Sequence, residues 1–166
     1  MTVIGLDLGH TTTREAEHWL AHLPPVPGLV ACTHFVGGRV VITVDGIGAK
    51  ELPPPGVSSR TGEASAAASE HSTRRSGRVV IYPGVAHLVG SLPVADVMAM
   101  SAIDRVVVMG LPGRPEAEPT TILDTRDFVR PQWMDGALTL VATPAPGGRI
   151  APFEVPNPTP CCADHA

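Results

Sequence analysis

Apolar residues in this chain come in short bursts, and the spacing inside each burst names an element. Residues 3–8 (Val-Ile-Gly-Leu-Asp-Leu) predict a short strand that Gly9 interrupts. Thr12 followed by Glu15 is the pattern of a capping box. Ala16, Trp19, Leu20 and Leu23 then recur at helical spacing until Pro24 and Pro25 end the helix. Residues 29–36 and 39–44 alternate around Gly37 and Gly38, which can both take the positive φ of a tight hairpin turn. That turn sets a register with Phe35 opposite Val40, His34 opposite Val41 and Cys32 opposite Thr43. Leu29, Ala31, Thr33, Phe35, Val40, Ile42 and Val44 then share the core face. Val30, Cys32, His34, Arg39, Val41, Thr43 and Asp45 share the more polar one.

Residues 53–78 break the rhythm. A Pro-Pro-Pro-Gly entry leads into a Ser-, Ala- and Arg-rich stretch with little to bury, which predicts a disordered loop inserted in a single domain spanning residues 1–166. Beyond it, residues 78–82 predict a strand, and Ser91 with Pro93 the start of a short helix carrying Val94, Val97, Met98 and Ala102. Residues 105–109 read as a buried strand. Residues 120–129, 137–142 and 149–155 are further strands, the last an edge strand because of Pro152, before a Pro-rich tail at 156–166. Two short helices among about seven short strands that do not alternate with them predict an α+β fold with a mostly antiparallel sheet.

Composition narrows the function classes. Aromatic residues are only 4% of the 166, and the net charge of −4 comes with no basic stripe, which argues against nucleic acid as a partner. No apolar run reaches the roughly 18 residues of a membrane span, and the N-terminus lacks the basic and apolar regions of a signal peptide. Lys50 is the one lysine among 12 basic residues, and the 18 Pro and 17 Gly fit a GC-rich bacterial genome. The expectation is a cytoplasmic protein whose three Cys are free thiols or metal ligands.

The densest chemistry is the tail, where Cys161, Cys162 and His165 lie within five positions. Soft thiolate and imidazole ligands suit zinc or another transition metal. Adjacent cysteines cannot complete a tetrahedral site alone, and Cys32 with His34, two apart on one strand face, are the natural second pair. The expected site is therefore structural or sensory, built from Cys32, His34, Cys161, Cys162 and His165. The vicinal thiols also allow redox chemistry. His18 and His22, with Glu15, fall on one helical face and could chelate a metal together, with His10 close by. His87 and the acids Asp124 and Asp127 around Arg126 are further chemical groups, although Asp124 and Arg126 read more simply as a surface ion pair.

Asp7-Leu-Gly-His-Thr-Thr-Thr13, following Val3-Ile-Gly-Leu, resembles the first phosphate loop of the actin, Hsp70 and sugar-kinase superfamily. The resemblance covers about a dozen residues and implies nucleotide binding, with the Asp acting through a metal-bound water and the hydroxyls contacting phosphate. The chain departs from that family in following the loop with a capped helix, and 166 residues cannot hold its two lobes. Besides metal binding, two other functions are expected from the residues. One is an enzyme acting on an anionic or phosphorylated substrate at Gly9–Thr13, with His10 or His87 as acid or base. The other is a non-catalytic module whose loop or tail recruits a protein partner.

Overall fold

A computed structural model of the chain describes residues 3–52 and 62–156. The first half contains β1 (Ile4–His10), α1 (Thr13–Leu20), β2 (Val30–Val36), β3 (Arg39–Asp45) and α2 (Gly62–Ser72). The second contains β4 (Arg78–Ile81), β5 (Ser91–Pro93), α3 (Val94–Met100), β6 (Arg105–Val108) and β7 (Ile122–Asp124). It closes with β8 (Gln132–Met134), β9 (Ala137–Ala145) and β10 (Arg149–Pro152). The strands form one sheet in the order β1-β3-β2-β4-β8-β9-β10-β7-β5, with β6 running parallel to β9. Among the described residues only β6–β9 and β7–β10 are parallel pairs, so the fold is α+β with a mostly antiparallel sheet. Among the described residues no helix is long and apolar enough to cross a membrane.

The hairpin follows its expected register. Phe35 pairs with Val40, His34 with Val41 and Cys32 with Thr43, and Gly37 and Gly38 take φ of 57° and 79°. Alternation puts Leu6, Ala31, Val40, Ile42 and Val44 in a core with Ala16, Leu20 and Leu23, beneath α1. Phe35, on that same face at the hairpin tip, is 74% exposed because α1 does not extend over it. The Thr12–Glu15 capping box is present in full.

The opposite, more polar face of the hairpin is also buried. Cys32, His34, Val41 and Thr43 are covered, and the cover over Val41 is α2. Residues 62–72 are therefore helical, not a loop; residues 53–61 lie outside the described ones. The helix buries only Ala64, Ala67 and His71, at i, i+3 and i+7. Such small side chains work because the strand beneath comes very close. A Cβ on Gly5 of β1 would lie 2.0 Å from the Ala64 carbonyl oxygen.

Two further expectations are corrected. The strand at residues 120–129 is limited to Ile122–Asp124, since Arg126 and Asp127 have φ of 53° and 51° and turn the chain. β10 is not an edge, being flanked by β9 and β7; Pro152 is tolerated as its last residue. β8 adds a strand with no expected counterpart, and it places Trp133 against the second core, among Cys32, Val79, Tyr82, Leu138 and Leu140.

Candidate functional site

Cys32 and His34 do face together, as the hairpin register requires, but they meet other residues than expected. His34 Nε2 lies 2.9 Å from Thr43 Oγ1, and Thr43 Oγ1 lies 2.9 Å from His71 Nδ1. His71 Nε2 in turn is 3.8 Å from Cys32 Sγ. The result is a buried chain from thiol to imidazole to hydroxyl to imidazole, with β2, β3 and α2 each supplying members. Proton accounting allows two senses, both with neutral rings. Either Cys32 donates to His71, which donates to Thr43, which donates to His34, or every donation reverses.

Electrostatics favours those neutral states. Burial, and then the neighbouring His71, lower the His34 pKa to about 4. His71 is also lowered, first by burial, with Asp45 acting against the shift and Arg74 with it. Burial pushes the Cys32 thiol up to about 12, outweighing the polar contacts of Thr43 and Trp133 that favour the thiolate. The Trp133 indole N–H is thus near the sulfur, yet it makes no full hydrogen bond. A neutral thiol is a poor nucleophile and a poor metal ligand. Space is short as well, since a Cβ on Gly77 would approach the His34 ring to 2.9 Å.

Among the described residues no three His, Cys, Asp or Glu side chains come together to hold a metal ion. Cys161, Cys162 and His165 lie outside the described residues. The last described segment is on the other side of the sheet. Glu154 bonds Arg78, and Arg78 Nη1 donates to Thr33 on the α1 face at 3.3 Å.

The remaining candidates separate. Glu15 turns away from His18 and His22 to accept from the Thr11 and Thr12 amides at 2.9 and 3.1 Å. His22 Nδ1 contacts the His18 carbonyl at 2.9 Å, leaving an exposed, edge-on ring pair. Glu15 thereby engages the Thr11 and Thr12 amides of the loop that resembles a phosphate loop. Asp7 accepts from the Gly9 amide at 3.1 Å and pairs with Arg39 at 3.2 Å. His10 ends β1, and His87 sits in a short 3-10 turn at Val85–His87. Asp124 Oδ1 accepts from the Arg126 amide at 3.3 Å, a turn bond in place of the expected ion pair.

Next to the buried chain is a pocket of about 490 Å³, which the sequence did not suggest. The end of α2 and the turn after it give it His71, Ser72 and Arg74; β3 gives Asp45; Tyr82, Leu138 and Trp133 line it from the second half, with Asp104. Arg74 sits over the Trp133 ring, 5.0 Å from its centroid, within cation–π range. Asp45 accepts from the Gly46 amide at 2.9 Å and Asp104 from the Leu138 amide at 2.7 Å. Among the described residues neither carboxylate is ion-paired. A larger cleft of about 690 Å³ opens beside Glu17, Arg78 and Glu154, but its charges neutralise one another.

Comparison with protein-family models, with curated proteins and with solved structures finds no match to this chain.

Proposed function

We propose that this chain is a small-molecule-binding domain that holds its ligand in the pocket between α2 and the second half of the sheet. One observation carries the reading. The pocket gathers two carboxylates without ion pairs among the described residues, Asp45 and Asp104, around aromatic and aliphatic walls. A volume of about 490 Å³ lies within the range of small-molecule sites, roughly 300–1,000 Å³. Binding is favoured over catalysis because both ring nitrogens of His71 are engaged, by Thr43 and Cys32, leaving no free nitrogen to act as a base.

A second reading, a transition-metal site with zinc as the expected ion, is favoured by the 3.8 Å between Cys32 Sγ and His71 Nε2. Two ligands at bonds of roughly 2.0–2.3 Å around one ion stand about that far apart. In this reading His71 replaces His34 as the imidazole ligand, and Cys161, Cys162 and His165 complete the set. A single thermal-shift panel separates the two. Neutral, anionic and cationic organic compounds, nucleotides, sugar phosphates, zinc and a chelator are each tested for a change in melting temperature. An organic ligand should stabilise the protein, and Ala102→Trp, at a residue that lines the pocket, should abolish that shift. Loss of stability with chelator and indifference to every organic compound would establish the metal reading instead.

A further inference from the structure

We infer that the pocket selects an organic cation, a flat amidinium or guanidinium on a small apolar body, and that Arg74 occupies the cation's seat when no ligand is present. The inference rests on the pocket being a ligand site and names the class of ligand. Its basis is the arrangement of three groups. The Trp133 face is a surface on which a planar cation gains attraction from the ring quadrupole. That surface carries the Arg74 guanidinium at 5.0 Å, so a planar cation demonstrably fits there. Asp45 and Asp104 line the same pocket, and among the described residues no ion pair uses either one.

Arg74 is suited to act as a replaceable plug. Its side chain makes no ion pair among the described residues, in contrast to Arg75, which bonds Glu70 at 2.7 Å. Its backbone is fixed independently of that side chain. The Arg74 amide donates to the His71 carbonyl at 2.9 Å, and its carbonyl accepts from the Gly136 amide at 3.1 Å. The guanidinium can swing off the indole without disturbing the turn. An exposed cation–π contact is weak, and a ligand that also reaches Asp45 and Asp104 can outcompete it.

Three probes of nearly the same shape test this: benzamidine, a cation; benzamide, neutral; and benzoate, an anion. Binding is followed by Trp133 fluorescence in a Trp19→Phe background, which leaves Trp133 the single indole, and by calorimetry. Arg74→Asn is the unplugging variant, because asparagine tolerates the left-handed φ of 54° at this position; Arg74→Gly repeats it should Asn perturb the turn. Benzamidine should bind the Arg74→Asn protein about two- to fivefold more tightly than the parent, the gain that loss of one exposed cation–π competitor allows, and Asp45→Asn or Asp104→Asn should reverse that gain. Benzamide and benzoate should bind at least about tenfold more weakly. Equal binding of benzamidine and benzamide, or tighter binding of benzoate, would overturn the cation assignment while leaving a ligand pocket standing. Equal tightening by Arg75→Ala would show a general charge effect and overturn the plug. Failure of benzamidine to bind any variant would overturn the cation assignment, while the thermal-shift panel decides the pocket reading separately.

Discussion

Protonation of His34 is opposed twice, by burial and by the imidazole of His71 across a shared hydroxyl. Thr43 can accept from both rings, but if both become cations its own proton has no acceptor in the chain and two positive charges share one oxygen. The consequence is a pH dependence with a definite sign. His34 has a folded pKa of about 4 against an ordinary 6.5, so the neutral ring stabilises the fold above about pH 6.5. That contribution is lost progressively as pH falls from there toward 4. Urea unfolding at about pH 7.5 and about pH 5 should differ by about 2 kcal/mol, and the lowered pKa of His71 acts in the same direction. In His34→Gln the difference should shrink by most of that amount. A stability unchanged between the two pH values would refute the neutral-chain assignment. The positions of Cys32 and His34 were legible in the sequence because a Gly-Gly turn fixes register and register fixes faces. Their partners were not. Thr43 looks like any strand threonine, and His71 lies in a segment whose composition predicts no structure at all.

Helix α2 shows why that segment misled. Burial capacity was judged from side-chain size, and Gly62–Ser72 offers almost none. Its alanines are nevertheless strong helix formers, and a helix with an alanine face can approach a sheet more closely than one with a leucine face. The complementary signal was Gly5, which looks like an ordinary interruption in a strand but marks the point where the Ala64 backbone comes down on β1. By contrast the capping box of α1 and the apolar spacing behind it are local, and were readable directly. The close approach makes Gly5 a sensitive position. Gly5→Ala places a methyl 2.0 Å from the Ala64 carbonyl oxygen, so α2 must lift from β1. The expected cost is about 1–3 kcal/mol, the range for overpacking. Amide exchange should accelerate across residues 62–72, and Cys32, buried in the parent, should label with a thiol reagent, as mapped on its own peptide. Unchanged exchange in α2 would mean that the helix is not seated by this contact.

Across the whole molecule, two cores occupy different parts of the sheet, and the pocket takes its core residues, Tyr82, Trp133 and Leu138, from the second of them. The charged cluster on the α1 side ties them. Arg78 of β4 bonds Glu17 of α1 at 2.6 Å and Glu154 beyond β10, and Arg130, just before β8, bonds the second oxygen of Glu17 at 2.7 Å. Glu17 thus joins the first helix to two segments of the second half. Burial acts to raise its pKa, but Arg130 and Arg78 outweigh burial and the net shift is downward. Its ionised form therefore stabilises the fold above the ordinary carboxylate range and stops doing so as pH falls through the lowered value. Glu17→Gln removes the charge while keeping the shape, leaving Arg130 without its ion pair. A loss of about 1.5–3 kcal/mol is expected near neutral pH, the range for hydrogen bonds to charged groups. The gap between variant and parent should close only as pH falls below the ordinary carboxylate range, whereas the His34 contribution is lost from about pH 6.5 downward. A double-mutant cycle with Arg130→Met should then show coupling of about 0.5–3 kcal/mol, as expected for groups in one ion-pair network. Additive effects would mean that Glu17 is held by Arg78 alone, and that the two halves keep their arrangement through the continuous sheet.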